Sequence, residues 1–383
     1  MTSKTPAHKK RLGVVFGSRS VEHEVSIITA VQMMQHVPTD EFEVVPLYID
    51  KQGRWWTGSE LLDINFYKTL DLMNPAETTD ALHRIQFSPD PTEEHGIDVA
   101  IFCTHGGHGE DGTLAGLFEL ADIPFAAPGV VAAAVSIDKL VFKHVMEAAG
   151  VPVTKYVWFT RQEWLETRKE MLERVETSLE YPLFVKPATL GSSVGVTRAA
   201  NEQELRNAID LAAEFDTRLI VEEAARDCIE VNVSVIGTGD STEVSTTEQP
   251  IQTDEFLSYA DKYERGGGKK GGTKGMASLS RRIPAPISPD LEEKLHDTTR
   301  QIWKLLNGKG VARIDFFANP SSEEIWVGEV NAPPGSMAYY LWEATGKSYS
   351  ELVQHLVNHA EAAHAEKHQL MHSIQSNILQ KDQ

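Results

Sequence analysis

The stretch "IDVAIFCTHGGHGEDGTLAGLFELADIPF", Ile97 to Phe125, decides the fold class. It opens with a continuous apolar run, the pattern of a parallel strand buried on both faces. A glycine-rich loop follows, then a helical pattern and a short apolar return. The N-terminal stretch "RLGVVFGSRSVEHEVSIITAVQMMQHV" repeats the order strand, turn, helix. Strand–loop–helix repetition predicts an open α/β domain. In such sheets ligands sit at the loops that follow the strand C-termini.

The remaining chain extends this reading. "EVVPLYID" reads as another strand, and residues 51–95 carry no clear period. Ser26, or Ser20 before it, is expected to cap the first helix. "SIDKLVFKHVMEAAGVPV" reads as a helix stopped by Gly150 and Pro152, leading to a strand over Val153–Phe159. The alternation in "EVNVSVIG" suits a half-buried antiparallel strand. "SPDLEEKLHDTTRQIWKLLN" is a helix capped by Ser288, with Pro289 at its first position and Leu291, Leu295, Ile302 and Leu306 on its buried face. A last helix over about 348–362 grades into a polar, histidine-rich tail that reads as frayed or disordered.

Composition narrows the function classes. A chain of 383 residues suggests about two or three domains. The net charge of −20 opposes nucleic acid and anionic membranes. Two cysteines, Cys103 and Cys228, give no disulfide framework and fit a reducing compartment. No run of about 18 apolar residues is present, and "LGVVFG" is too short for a signal-peptide core. A cytoplasmic protein is expected.

Five clusters carry candidate chemistry. In "ARIDFFANPSSEEIWVGEVNAPPG", Glu329 and Asn331 are two apart on one strand and share a face, and Asp315 can meet them from the neighbouring strand. Oxygen ligands of this kind suit Mg²⁺ shared with substrate phosphates. Arg313 would share the face of Asp315 and stabilise developing charge; an exposed ion-pair ladder is the plain alternative. In "VKPATLGSSVGV", Lys186 closes an apolar strand, and Gly191, Ser192, Ser193 and Gly195 let backbone N–H groups approach phosphate. The spacing is not that of a Walker A loop.

In "THGGHGEDG", His105, His108, Glu110 and Asp111 offer metal ligands, but the spacing fits zinc motifs poorly. A substrate loop fits better, with Asp111 or Thr113 capping the next helix. In "GSRSVEHEVS", one of the acids Glu22 and Glu24 can hold a substrate ammonium, or both can simply favour a helix N-terminus. Finally, "KYERGGGKKGGTKGMAS", Lys262 to Ser278, holds Lys269, Lys270 and Lys274 among glycines. It also fails the Walker A spacing, leaving a linker, a lid or a phosphate contact.

Together and in this order, these motifs resemble the D-alanine–D-alanine ligase family of ATP-grasp enzymes. The resemblance runs from about Arg11 to His359 through "VVFGSRSVEHEVS", "HGGHGEDGTLAG", "SIDKLVFK", "VKPATLGSSVGV", "VEEAARDCIEVNV", "ADKYE", "ARIDFF" and "EVNAPPGS". It implies a three-domain ATP-grasp architecture with an N-terminal open α/β domain over 1–134. The central subdomain would span 135–224 and the C-terminal one 225–365, with a lid near 256–282 and a tail over 366–383. It implies ATP and Mg²⁺, with Mn²⁺ as an alternative ion. Two D-alanines would be joined through an acyl phosphate, for peptidoglycan synthesis. A homodimer is expected by analogy.

Residue by residue, the resemblance places Lys139, Lys186, Ser193 and Lys262 with ATP. Glu222 or Glu223 falls at the adenine edge and Glu230 on the ribose. Asp315, Glu329 and Asn331 match the magnesium ligands. Glu22 matches the acid that orients the first ammonium, linked with Ser192 and Tyr263 across the closed site. His105 matches the histidine near that substrate's carboxylate, and Arg313 with the Gly335 N–H the oxyanion pair. Tyr263, where the depsipeptide-forming branch has histidine, implies a dipeptide product. Tyr340 and Leu341 fall where the second substrate is read, but the family has serine in place of Tyr340. Ala115 stands for the family's glutamine, and the lid is long and rich in Gly and Lys. These departures leave open a different second substrate.

Overall fold

The computed structural model describes residues 9–86, 96–191, 195–239, 241–251 and 280–371. The first strands and helices follow the expected order: β1 (Lys10–Gly17), α1 (His23–Met34) and β2 (Phe42–Ile49). Among its described residues, the region without a clear period holds short pieces. These are β3 (Trp55–Thr57), two 3-10 turns, α2 (Pro75–Thr78) and β4 (His83–Ile85). Then come β5 (Val99–Phe102), α3 (Thr113–Leu120) and β6 (Phe125–Ala126). The six strands form one sheet in the order β4-β3-β2-β1-β5-β6. It is parallel from β2 through β1 and β5 to β6, and antiparallel at the β3 and β4 edge.

Helices α4 (Val130–Ile137) and α5 (Lys139–Ala148) lead to the second sheet. Along the chain follow β7 (Tyr156–Thr160), α6 (Arg161–Glu166), α7 (Arg168–Ser178), β8 (Leu183–Pro187), β9 (Thr197–Ala199), α8 (Glu202–Ala212) and β10 (Arg218–Glu223). The four strands pair antiparallel in the order β7-β10-β8-β9. The strand expected over Val153–Phe159 starts later, because Val153 forms only an isolated bridge to Val327.

The third sheet uses β11 (Ile229–Ile236), β12 (Glu243–Pro250), β13 (Arg281–Arg282), β14 (Val311–Ala318) and β15 (Ile325–Asn331), in the order β13-β12-β11-β14-β15. Strand β11 is antiparallel as expected, but six of its eight residues are buried rather than alternate ones. It lies between β12 and β14, so its polar positions need partners inside the protein. Ser234 donates to the Ala312 carbonyl and accepts from Trp342 Nε1, and Asn232 donates to Glu248.

Helix α9 (Pro289–Leu305) covers this sheet. Ser288 accepts the Leu291 N–H, and Pro289 occupies the first position, as the sequence predicts. Leu291, Leu295, Ile302 and Trp303 are fully buried, each worth roughly 1.5–3 kcal/mol relative to exposure. Two more helices end the described chain, α10 (Tyr339–Ala344) and α11 (Tyr349–His368). Helix α11 starts at a Ser348–Glu351 capping box. It continues to His368, beyond the expected end near 362. Its Leu352, Val353, Leu356 and Val357 join the core of the first sheet with Leu12, Val14 and Ile27. The extra turns are tied by polar contacts, His364 and His368 with Asp122 and Lys367 with Glu119. Among the described residues no helix is long and apolar enough to cross a membrane.

Two expected caps are corrected. Helix α1 has Glu22 at its N-cap and no side-chain cap. Ser26 instead accepts the Gly17 N–H and donates to the Cys103 carbonyl, tying the helix to the ends of β1 and β5. Ser20 receives the Glu22 N–H. Helix α3 is entered through Gly112 at φ +85°, with no side-chain cap. Asp111 accepts the N–H groups of His108 and Thr113, closing the loop ahead of the helix.

Candidate active site

Strands β14 and β15 pair Arg313 with Asn331 and Asp315 with Glu329, so the four residues form one patch. Arg313 grips Asp315 with two hydrogen bonds, Nε to Oδ1 at 2.6 Å and Nη2 to Oδ2 at 2.7 Å. Asn331 Nδ2 donates to the same carboxylate at 2.9 Å. The expected sharing of faces is therefore present, in a buried setting rather than on an exposed ladder. Burial pushes the Asp315 carboxyl up; Arg313 pulls it down, and Glu329 and Glu230 push it up again. The upward shift comes first from burial, and the excess negative charge of Glu329 and Glu230 adds to it. A divalent cation would relieve that excess, and carboxylate and amide oxygens are donors that Mg²⁺ accepts.

A second patch lies across the cavity on the central sheet. Glu222 is buried on β10, with Lys186 Nζ at 3.2 Å, Lys143 Nζ at 3.4 Å and the Thr154 hydroxyl at 3.1 Å. Burial alone would raise its pKa; the two ammonium groups and the hydrogen bonds bring it down to about 2. Lys139 donates to the Leu190 carbonyl at 2.6 Å, and its pKa is lowered mainly by burial. Lys143 is lowered for the same reason, although Glu222 attracts it. Two ammonium groups thus share one carboxylate, with the Lys139 ammonium on the Leu190 carbonyl nearby, a surplus of positive charge suited to phosphate. Glu223 faces away from that group, accepting the Glu180 N–H at 3.0 Å. Glu230 is half-buried at the start of β11, opposite Phe317.

The third patch comes from the first sheet. Glu22 is buried at the start of α1. Gly106, at φ +70°, and Gly191 both pack on it. A Cβ added to either would come within 2.7 or 2.8 Å of its Oε2. His105 is buried, with Nε2 at 3.0 Å from the Thr29 hydroxyl and Nδ1 at 3.3 Å from Glu110. Thr29 also accepts the Ser336 N–H at 3.1 Å. Ser336 follows Gly335 in a turn where Ser336, Met337 and Ala338 all have left-handed backbones. Such strain persists only where the surroundings enforce it, and it clusters at functional sites. Glu24 instead pairs with Lys51 on the surface, and His23 is a buried core histidine between the Ser18 carbonyl and the Tyr48 hydroxyl.

Tyr340 is buried, and its hydroxyl donates to Glu248 Oε1 at 3.0 Å. The Arg281 guanidinium lies over its ring at 3.8 Å and pairs with Glu248 at 2.7 Å. Leu341 is fully buried beside Ala338 and Tyr340. A cavity of about 670 Å³ joins much of this, with Lys139, Lys186, Glu222, Arg313, Asp315 and Glu329 among its lining residues. Its size suits a nucleotide with a small substrate.

Sequence reasoning did not single out Thr29, Lys143, Glu248 or Arg281. A lysine four residues after Lys139 on one helix was the available signal for Lys143. The other three act through partners far along the chain, which no local pattern marks. Ser192, Ser193, Lys262 and Tyr263 lie outside the described residues, as do Lys269, Lys270 and Lys274 of the predicted lid. His105, His108 and Glu110 do not gather around one ion. The described ligand groups close enough for that lie elsewhere.

The model described as "D-ala D-ala ligase N-terminus" matches residues 11–128, and the one described as "D-ala D-ala ligase C-terminus" matches 145–358. The D-alanine–D-alanine ligase of Bacillus velezensis is 35% identical over 368 residues, covering 94% of this chain and 100% of that protein. The ligase of Natranaerobius thermophilus is 35% identical over 366 residues, covering 94% and 97%. Among solved structures, the VanG D-Ala:D-Ser ligase from Enterococcus faecalis superposes with a TM-score of 0.76 at 29% identity, covering 92% of this chain and 100% of that one. The D-alanine–D-alanine ligase from Coxiella burnetii gives 0.77 at 24% identity, over 95% and 97%, a likeness of fold.

Proposed function

The chain belongs to the D-alanine–D-alanine ligase family, and from that premise we propose that it joins two D-alanine molecules, with ATP converted to ADP and phosphate. The reading rests on one observation above all. A carboxylate, amide and guanidinium patch on β14 and β15 shares a cavity of about 670 Å³ with Lys139 and Lys186. One patch is rich in negative charge and suits a cation; the other is rich in positive charge and suits phosphate.

The chemistry divides among the residues. Glu22 takes the ammonium of the first D-alanine, and His105, steadied by Thr29 and Glu110, lies by its carboxylate. That carboxylate attacks the γ-phosphate, giving an acyl phosphate and ADP. Lys139 and Lys186 offset charge on the phosphates. Asp315, Glu329 and Asn331 would hold Mg²⁺, which neutralises phosphate charge when bound. The amine of the second D-alanine then attacks the acyl carbon, and phosphate leaves. Arg313 and the Gly335 N–H stabilise the oxygen that becomes negative in that step. Glu222 or Glu223 with Glu230 would meet the adenosine. An acyl phosphate is labile in water, so the reaction requires a site that excludes water during turnover. We place the protein in the cytoplasm, supplying the dipeptide for peptidoglycan, and divide the chain at about 134 and 224.

Tyr340 favours a second reading, in which the partner of D-alanine is another amino acid. Its bulk stands where the family carries serine, locked under Arg281 and onto Glu248. One experiment separates the two. Purified protein is given ATP, Mg²⁺ and D-alanine alone or with a second amino acid, and products are identified by mass. D-alanyl-D-alanine with stoichiometric phosphate release from D-alanine alone is expected. A mixed dipeptide formed in preference would favour the second reading, and no amino-acid-dependent phosphate release would sink both.

A further inference from the structure

Helix α11 carries two histidine pairs at a spacing of four residues, His355 with His359 and His364 with His368. Such pairs stand on one face of a helix, one turn apart. The second pair meets Asp122, in the turn between α3 and β6, more than 240 positions earlier. Nε2 of His364 lies 3.1 Å from Asp122 Oδ1, and Nε2 of His368 lies 2.9 Å from the same oxygen. The two Nε2 atoms are 3.3 Å apart. His364 Nε2 is also 3.0 Å from the Asp122 carbonyl oxygen.

Three donor atoms therefore form a nearly equilateral triangle. A tetrahedral ion with bonds of about 2.0–2.1 Å separates its ligand atoms by roughly 3.3–3.4 Å, close to the edges of this triangle. We propose that Asp122, His364 and His368 bind one divalent transition-metal ion of the Zn²⁺ class, with water completing the coordination. Two imidazoles and one carboxylate suit zinc and its borderline-soft neighbours. Mg²⁺ prefers six oxygens and is a poor match. This site is therefore chemically distinct from the oxygen-rich patch around Asp315.

Lys309 and Lys367 line the same cavity as Asp122 and His364, and Glu119 pairs with both, offsetting part of their charge. The donors are half-exposed, so an ion can enter without unfolding. The other histidine pair is the internal contrast. His355, His359 and Glu243 also converge, but the Lys347 ammonium lies 2.9 Å from His355 Nδ1 and 3.4 Å from Glu243. A fixed cation already occupies that cluster. Metal at the Asp122 site would clip the end of α11 to the first sheet.

The test uses full-length protein stripped of metal, with Zn²⁺ titrated calorimetrically at pH 7.5 in excess Mg²⁺. One high-affinity Zn²⁺ per chain is expected, together with a higher melting temperature. His364→Ala and His368→Ala each should weaken binding about tenfold or more and abolish the melting shift, since each removes a first-sphere ligand. Asp122→Asn should weaken it less, and His355→Ala should leave it unchanged. Comparable melting of the zinc-free variants confirms that they fold; should one fail, the remaining two carry the comparison. Absence of zinc binding, or unchanged binding in the folded ligand variants, overturns the site.

Discussion

Glu222 sits between two ammonium groups and one hydroxyl, and its neighbour Glu223 does not. Adjacent residues on a strand face opposite sides. Sequence alone leaves the two acids undecided, because a spacing of seven to Glu230 favours Glu223 while the strand favours Glu222. What separates them in space is strand parity together with Lys143 and Lys186, neither of which is near in sequence. The folded pKa of Glu222, about 2, lies below its ordinary 4.5. Its contribution is therefore full above about pH 4.5 and is lost as pH falls towards 2. Lys143 is lowered rather than raised, so the pair is not equally satisfied: one carboxylate serves two lysines. Glu222→Gln should cost about 3 kcal/mol or more near neutral pH, because it leaves buried ammonium groups without a counter-ion. Urea denaturation at pH 7 and pH 3 checks this; the deficit should shrink at the lower pH. An equal deficit at both would mean that packing, not charge, sets the cost.

At the scale of elements, helices with their own punctuation are legible in the sequence, and short pieces are not. Ser288 and Pro289 announce α9, and its apolar stripe alone marks the face that is buried. Ser288→Ala should cost about 1 kcal/mol through the lost Leu291 N–H acceptor, read as a lower thermal midpoint. The effect should be smaller in Ser288→Asn, which can still cap; equal losses would assign the role to the contact of Ser288 with Glu323 instead. Ser26 shows why the same rule misleads at α1. A serine near a helix start is a capping candidate, but its hydroxyl goes wherever the fold offers a better acceptor, here the Cys103 carbonyl. Residues 51–85 resist reading because strands of three residues and single turns carry too few positions to establish a period. The end of helix α11 is hidden for a related reason. Its alanine- and histidine-rich last turns have little apolar stripe of their own, and polar contacts with Asp122 and Glu119, far away in sequence, hold them.

Across the whole molecule, the site is assembled from all three sheets, and Thr29 is a joint between the first and the third. Its hydroxyl meets His105 at the end of β5 and accepts the Ser336 N–H just past Gly335. The motif order in the sequence makes the family legible, yet nothing local marks Thr29, whose partners lie 76 and 307 positions away. Replacing it by valine keeps the shape and removes the hydroxyl. The Ser336 N–H and the His105 ring then lose a buried partner, which costs about 1–3 kcal/mol. The left-handed turn from Ser336 to Ala338 is strained and depends on such restraints. Thr29→Val should therefore raise KM for the first D-alanine and lower kcat, while KM for ATP stays unchanged, because Lys139, Lys186 and Glu222 lie on the central part of the chain. Steady-state kinetics with each substrate varied in turn gives the comparison. An unaltered kcat/KM for D-alanine in a folded Thr29→Val variant would show that the Gly335 turn holds its position without this link. A loss confined to ATP would place the joint on the wrong side of the cavity.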